Sequence, residues 1–303
     1  MHEQLINNLF TDLCVAVGQP AGKREEVRVW SMSGVERLTF PDGTTAIFKY
    51  AKRPFEREDR ALRLARARDI PVPQVFASAA REECLGMFLE DLGPASREAD
   101  DLDGAAAAAA LHVAPRAGVL PVLDEVGLRK LPARASDHLR RLREAGRWGS
   151  TDDLADALTL LTAAAESRAA GAMLEPFGWV HSEFHPTSLH IGATGWRLLD
   201  FARAFTGPGL LDLASWHGTL DAPDLVRTRV FLETYAAEGG HSEAVADRGG
   251  LTAEAWALGW HRVWVIEWFM EQAVHWVNDP ASDPAYIKVV RRHLNDAVRL
   301  LEP

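Results

Sequence analysis

The chain has 303 residues, 43 of them acidic and 33 basic, which gives a net charge of -10 at pH 7. This length suffices for one domain or two tightly packed lobes with a sizeable core, and the acidic excess argues against a nucleic-acid partner. No long apolar run predicts a membrane span, and the start Met-His-Glu-Gln lacks the basic residues of a signal peptide. Because Cys14 and Cys84 are too few for a disulfide framework, we expect a protein of the reducing cytoplasm.

The N-terminal part predicts a small sheet. Short strands are expected at residues 27–30, 35–40 and 44–50, with Pro41-Asp42-Gly43 as the turn between the last two. Residues 31–34, Ser-Met-Ser-Gly, form the turn before the second strand. With one glycine this turn is a weak phosphate-binding signal and also fits an ordinary hairpin loop. Lys49, on the third strand, taken alone fits a solvated side chain equally well.

A helix and a further strand follow. Residues 57–65 predict an amphipathic helix that begins near Glu58 and has Ala61, Leu62 and Ala65 on one face, and the prolines after it lead into an extended segment. By itself Glu58 fits a solvated helix face. Residues 85–93 predict an apolar strand that ends in an acidic turn.

The most informative stretch comes later, at residues 177–201. It predicts a strand, a polar loop over residues 181–188, a short strand, a turn, and a strand that ends at Asp200. Glu183, Ser188 and Asp200 can therefore converge. Transfer of a γ-phosphoryl group requires metal ions on phosphate oxygens and a carboxylate that orients the acceptor hydroxyl, and Mg²⁺ accepts carboxylate, hydroxyl and water ligands. Phosphoryl transfer is the leading hypothesis.

These segments resemble the aminoglycoside phosphotransferase family, the small-molecule kinases with a protein-kinase-like fold. The run His-Ser-Glu-Phe-His-Pro-Thr-Ser-Leu at residues 181–189 is similar to the family's His-Gly-Asp-x-x-x-x-Asn loop. Leu199-Asp200-Phe201 falls at its metal-binding Asp, and residues 207–214 resemble its Gly-x-x-x-x-Asp-Leu-Ala stretch. Residues 57–65 and 69–75 are similar to its Arg-Glu-x-x-x-Leu helix and Val-Pro-x-Pro segment. Three positions differ: Ser182 replaces a Gly, Glu183 replaces an Asp, and Ser188 replaces an Asn and can require a bridging water.

The resemblance implies an α+β, two-lobed protein-kinase-like fold. Residues 1–91 would form a small β-rich nucleotide-binding lobe, and residues 92–303 a larger, mainly helical lobe with the catalytic loop and the acceptor site. The cofactors would be Mg²⁺ and ATP or GTP. The partners would be the nucleoside triphosphate and a small-molecule acceptor with a hydroxyl group, with no nucleic acid and no membrane.

The resemblance also implies a role for each site residue. Glu183 would orient or deprotonate the acceptor hydroxyl, while Asp200 and Ser188 would hold the metal. Lys49 would contact the α- and β-phosphates, and Glu58 would orient Lys49, with Glu56 as the substitute partner. The remaining assignments are Ser33 and Gly34 over the phosphates, the main chain around Glu90 and Leu92 at the base, and His181 on the backbone of the catalytic loop.

Helices are expected to dominate after residue 95. Three are predicted, from Ala105 to His112, over residues 136–145 and over residues 152–170, with a proline-bearing loop between the first two. Near the C-terminus, Trp256, Trp260, Trp264 and Trp268 recur every four residues. A buried core stripe is the first interpretation, and an aromatic wall for an acceptor is the alternative. Glu267 and Glu271 fit either an amine-binding pair or exposed helix charges.

The predicted function is transfer of the γ-phosphate of ATP or GTP to a hydroxyl of a small molecule. The resemblance favours an antibiotic acceptor, for resistance or self-protection. A catalytically impaired nucleotide-binding or scaffold protein is one alternative, supported by the replacements at Glu183 and Ser188. A kinase of a primary metabolite, such as a sugar or a choline-like alcohol, is the other.

Overall fold

The computed structural model describes residues 3–218, 221–277 and 279–302. The chain divides into two compact units, one of residues 1–100 with 181–204 and one of residues 101–180 with 205–303. Residues 181–204, which include the catalytic-loop motif, thus group with the N-terminal residues. The lobe boundary between residues 91 and 92 stays a prediction.

A five-stranded antiparallel sheet forms the centre of the first unit. Its strands lie in the order β1-β2-β3-β5-β4. The hairpin of β2 and β3 agrees with the predicted strands to within two residues, whereas β1 begins four residues earlier than predicted. The elements are α1 Glu3–Val17, β1 Lys23–Val29, β2 Ser33–Thr39, β3 Thr45–Lys52, α2 Glu58–Arg66, β4 Val75–Arg81 and β5 Cys84–Leu89.

One face of this sheet carries the core of the unit. Helix α1, which was not predicted, buries Leu9, Phe10 and Leu13, and these pack with Phe48 of β3 and Phe88 of β5. Because successive side chains of a strand point to opposite faces, Lys49 lies on the other face of the sheet. The core face is therefore separate from the face that carries Lys49.

The remainder of the first unit is a short hairpin. A 3₁₀ turn over Pro186–Ser188 leads into β7 Leu189–Gly192, which pairs antiparallel with β8 Gly195–Leu198. The backbone N–H of Leu198 donates to the carbonyl of Pro71 over 2.8 Å, and that of Ser96 donates to Ile191 over 2.8 Å. These bonds fix the hairpin to the N-terminal part of the unit.

The second unit is mainly helical and contains one antiparallel strand pair, β6 with β9. Pro132 lies in the first turn of α5, where its missing N–H costs no hydrogen bond, so this helix begins at Leu131, five residues before the predicted start. The elements are α3 Asp101–Val113, α4 Glu125–Arg129, α5 Leu131–Glu144, α6 Asp152–Ala169, β6 Phe177–Val180, β9 Phe205–Pro208, α7 Leu210–Ser215, α8 Leu225–Ala237, α9 Ala253–His275 and α10 Asp283–Leu301.

The small antiparallel sheet and the larger helical unit confirm the predicted α+β kinase-like class. Among the described residues, no helix has the length and apolar character needed to cross a membrane.

The tryptophan stripe belongs to helix α9 and is mostly core. Trp256 and Trp260 are fully buried, and both indole N–H groups donate to the carbonyl of Arg168, over 2.7 and 3.0 Å. Trp264 is also buried, whereas Trp268 is half-buried. The core interpretation is therefore confirmed for the first three rings.

Glu267, on the same helix, is also buried. Its carboxylate lies 3.4 Å from Arg134 and 3.6 Å from His138. It is therefore not an exposed helix charge, and Arg134 of the second unit is its cationic neighbour.

Candidate active site

Lys49 is the centre of a buried ionic cluster in the first unit. It lies in the middle of β3, paired with Val35 of β2 and Met87 of β5, so both neighbouring strands hold its backbone. Its Nζ donates to Glu58 over 2.8 Å and to Asp200 over 2.6 Å. Residues far apart in sequence thus meet at one ammonium group.

Helix α2 brings Glu58 to this cluster. Ala61, Leu62 and Ala65 are buried on its inner face, as its sequence predicts, and Glu58 is buried with them in the first turn. The pairing of Lys49 with Glu58 expected from the sequence is present, so the helix has the predicted register. Glu56 lies 3.9 Å from Arg57 instead.

Asp200 follows β8 in a strained backbone conformation. Its φ of +67° lies in the left-handed region, which costs a non-glycine residue about 1 to 2 kcal/mol. The backbone of the preceding residue, Leu199, makes two hydrogen bonds. Its N–H donates to the backbone carbonyl of Ser188 over 2.8 Å, and its carbonyl accepts from His181 Nε2 over 2.6 Å. His181 therefore contacts the backbone next to Asp200, and its predicted role on the backbone of the catalytic loop stays a prediction.

Lys49 and Asp200 stabilise the charged form of each other. Burial lowers the pKa of Lys49, but the carboxylates of Glu58 and Asp200 outweigh burial, so this pKa lies above its ordinary value. For Asp200 burial acts to raise the pKa, yet Lys49 outweighs it and keeps the pKa below the ordinary value. Lys49 is therefore cationic and Asp200 anionic at neutral pH.

Glu183 lies in the loop after β6 and is half-buried. Burial raises its pKa, and the negative charge of Asp200 raises it further. A carboxylate with a raised pKa accepts a proton more readily near neutral pH, which is the property of a general base.

Ser188 is buried at the end of the 3₁₀ turn. Its hydroxyl donates to the carbonyl of His185 over 2.8 Å and accepts from the His185 N–H over 3.1 Å. A hydroxyl oxygen has two lone pairs, so one remains for another partner.

The donor set at Asp200 and Ser188 fits a hard cation with few protein ligands. A carboxylate, one hydroxyl lone pair and waters are the oxygen ligands that Mg²⁺ accepts. Among the described residues, no group of three or more His, Cys, Asp and Glu residues could hold a metal. A cation here would therefore depend on water and phosphate oxygens for its remaining ligands.

The predicted phosphate-covering turn is shorter than the sequence indicated. Ser33 and Gly34 are the first residues of β2, which leaves only the segment before them as turn. The indole N–H of Trp30 donates to the Ser33 hydroxyl, so this side chain is used within the turn. Gly34 is required for packing, because a Cβ there would lie 2.3 Å from the ring of Tyr50.

The predicted base-binding segment follows β5. The backbone N–H of Glu90 donates to the Gln74 carbonyl over 2.9 Å, and the Glu90 carboxylate accepts from the Gln74 N–H over 3.1 Å. Asp91 accepts from the N–H of Gly93 over 3.0 Å and so closes the turn that contains Leu92. The segment is thus fixed while Glu90 retains its carbonyl as an acceptor.

One charged residue at the cluster was missed by the sequence analysis. Arg28 of β1 places Nη2 3.8 Å from Oδ2 of Asp200. Nothing in the local pattern of β1 marks Arg28, because its position depends on how β1 pairs with β2.

In the second unit, Asp212 is buried in helix α7. His112 Nε2 lies 3.3 Å from its carboxylate, and the His112 ring is buried.

Comparison with known proteins identifies a family to which the sequence is similar. Its residues 33–249 match the model of the phosphotransferase enzyme family. No curated protein matches the sequence.

Three solved structures are similar in fold. A choline/ethanolamine kinase family protein from Mesorhizobium loti has 14% identity and a TM-score of 0.66, with 93% of this chain and 89% of that chain covered. The apoenzyme of macrolide 2'-phosphotransferase MphH from Brachybacterium faecium has 18% identity and a TM-score of 0.59, with 94% and 97% covered. The amicoumacin kinase hAmiN, in complex with AMP-PNP, Ca²⁺ and Ami, has 15% identity and a TM-score of 0.60, with 98% and 94% covered. At these identities the similarity shows the fold, whereas the family match spans most of the sequence: the chain belongs to the phosphotransferase enzyme family.

Proposed function

We propose that this protein transfers the γ-phosphate of ATP or GTP to a hydroxyl group of a small molecule. The observation that carries this proposal is the shared ammonium of Lys49, bonded to Glu58 and Asp200 at 2.7 and 2.6 Å. This arrangement fixes a phosphate-binding cation beside a carboxylate suited to a metal. The family match is the second support.

Each predicted residue has a role in this proposal. Lys49 binds the α- and β-phosphates, and Glu58 holds Lys49 in position. Asp200, with Ser188, holds Mg²⁺, which when bound neutralises charge on the phosphate oxygens. Glu183 orients the acceptor hydroxyl and takes its proton. The Glu90 carbonyl and the Leu92 N–H are proposed to bind the base, with the turn before Ser33 and Gly34 over the phosphates.

We also propose a chemical class for the acceptor. Among the similar folds are an amicoumacin kinase and a macrolide 2'-phosphotransferase, which favours an antibiotic acceptor and a role in resistance or self-protection. The choline/ethanolamine kinase family protein keeps a primary metabolite, such as a choline-like alcohol or a sugar, as the alternative. Cys14 and Cys84 are both free, which is compatible with the proposed cytoplasmic location.

One observation favours a catalytically impaired protein as the second candidate. The Ser188 hydroxyl is bonded twice to His185, so it is less available as a ligand than an amide side chain reaching into the site would be. Against this, a scaffold has no need for a lysine buried between two carboxylates, because burying charges is costly.

The test is phosphoryl transfer measured by mass spectrometry. Purified protein is incubated with Mg²⁺ and ATP or GTP against a panel of hydroxyl-bearing antibiotics, sugars and amino alcohols. We expect an acceptor mass increased by one phosphoryl group, and turnover reduced roughly a hundredfold or more in Glu183→Gln. Nucleotide binding without any transfer, repeated over the whole panel, would favour the impaired protein.

Nucleotide binding by Asp200→Ala tests the metal role separately. We expect the variant to lose the part of the affinity that depends on Mg²⁺. An affinity and an Mg²⁺ dependence equal to those of the unmodified protein would remove Asp200 from the metal site.

A further inference from the structure

Arg28 is a charged residue beside Asp200 that has no role in the proposed phosphoryl transfer. It lies near the end of β1, and its side chain is 65% exposed. Its Nη2 is 3.8 Å from Asp200 Oδ2, which is an ion-pair distance but longer than a hydrogen bond. The contact is therefore loose, and an exposed arginine can exchange it for another anion at little cost.

The direction of Arg28 is set by an irregularity in β1. Glu26 pairs with Glu36 and Arg28 with Val35, so Val27 is skipped and forms a β-bulge. In a regular strand Arg28 would share the face of Arg24, which lies over the core rings of Phe10 and Phe48. The bulge moves Arg28 to the opposite face.

On that face Arg28 belongs to the same row as the functional lysine. Arg28 pairs with Val35, and Val35 pairs with Lys49. Residues paired across strands point to the same side of a sheet. The two cations therefore stand on one face, with Val35 between them, and both are ion-paired with Asp200.

The cluster around Lys49 would attract a polyphosphate more strongly with a second cation. Acidic groups outnumber basic ones at this point, because Lys49 is a single cation between the carboxylates of Glu58 and Asp200. A second cation beside Asp200 weakens the repulsion that an approaching polyphosphate would meet. The turn before Ser33 adds few hydrogen-bond donors for phosphate, because it has no run of glycines and the Ser33 hydroxyl is bonded to Trp30.

We infer that Arg28 is a second phosphate-binding cation, turned into the nucleotide site by the bulge at Val27. This inference rests on the proposed function. Its planar guanidinium can bind two oxygens of one phosphate through parallel hydrogen bonds, a fixed geometry that the ammonium of Lys49 lacks. Arg28 contacts the β- and γ-phosphates and not the base or sugar, so its contribution depends on the length of the phosphate chain.

The experiment is calorimetric binding of ATP, GTP and AMP to the full chain, with and without Mg²⁺. For Arg28→Gln we expect the Kd of the triphosphate to rise about tenfold, the scale of a lost charged hydrogen bond, and the Kd of AMP to change less than twofold. The double variant V27R/R28V keeps the composition and charge of the strand but moves the cation to the bulged position, so it should behave like Arg28→Gln. Lys23→Gln removes an exposed charge from the same strand and should bind as the unmodified protein does.

Three results would overturn the inference. Unchanged triphosphate affinity in Arg28→Gln would show that the guanidinium does not contact phosphate, and full affinity in V27R/R28V would show that the bulge does not direct it. Equal losses for ATP and AMP, with circular dichroism unchanged, would assign Arg28 to the nucleoside end. If the unmodified protein binds neither ATP nor GTP, the proposed function itself fails, which is a distinct result.

Discussion

At the scale of single residues, Glu183 is the group whose environment makes the clearest kinetic prediction. Burial and the charge of Asp200 raise its pKa above that of an ordinary carboxyl. A general base must be deprotonated, so the rate falls as the pH falls through this raised pKa. With Glu183 as the proposed base, we expect an acid limb in the pH profile of kcat/KM, which reports the ligand-free protein, at a higher pH than a free glutamate would give, and its disappearance in Glu183→Gln. An identical acid limb in both proteins would assign it to another group.

Ser182 makes a second prediction at this scale. Its φ is +76°, a conformation that a residue with a Cβ adopts at a cost of about 1 to 2 kcal/mol. Glycine removes that cost but adds freedom to the unfolded chain, worth about 0.4 to 1 kcal/mol. We therefore expect Ser182→Gly to raise the free energy of unfolding by up to about 1 kcal/mol, measured by urea denaturation. Ser182→Ala, which keeps the Cβ, is the control and should show no gain.

At the scale of elements, the contact between β2 and β3 depends on the absence of a side chain at position 34. Gly34 pairs with Tyr50, whose ring fills the space that a Cβ would occupy at 2.3 Å. We expect Gly34→Ala to destabilise the protein by about 1 to 3 kcal/mol, the cost of overpacking. In the background of Tyr50→Ala the same change should cost much less, and a double-mutant cycle of unfolding free energies measures the difference. Equal costs in both backgrounds would mean that the ring does not set the limit.

The secondary-structure elements explain why some site residues could be predicted from the sequence and others could not. Lys49 lies inside a regular strand and Glu58 at the start of a regular helix, where local periodicity alone fitted solvated charges. The family resemblance implied their pairing, which is present at 2.8 Å. Arg28 lies beyond a bulge, which reverses the alternation and is visible only in the pairing of β1 with β2. Ser33 was predicted in a loop but begins a strand, because its hydroxyl and backbone are bonded to Trp30 across the turn.

At the scale of the whole molecule, a buried histidine controls stability in acid. His293 of α10 is fully buried and stacks on Phe269 at 11°, and among the described residues neither ring nitrogen has a hydrogen-bond partner. Burial lowers its pKa to about 3, and the charges of Arg262 and Arg292 act in the same direction. The folded protein therefore keeps this ring neutral.

The direction of the pH effect follows from the difference between the pKa of His293 in the folded and in the unfolded chain. Below the ordinary histidine pKa of 6.5 the unfolded chain takes up a proton that the folded chain refuses, so the free energy of unfolding falls with pH until about pH 3. The expected slope is about 1.4 kcal/mol per pH unit from this residue. Denaturant unfolding at pH 7 and pH 5 measures it, with His293→Phe as the variant whose slope is smaller. The same slope in both proteins would place the acid sensitivity elsewhere, for example at the buried His261.

By itself the sequence determined the fold class and the order of the central residues, through its resemblance to a known family. Strand and helix periods are local properties of the chain, and motifs such as Leu199-Asp200-Phe201 carry that resemblance. The tertiary structure decided which groups meet: Glu58 and not Glu56 with Lys49, Arg28 with Asp200, and Trp256 with the core. These choices depend on strand register and on packing between distant segments, in which a shift of one residue turns a side chain to the opposite face.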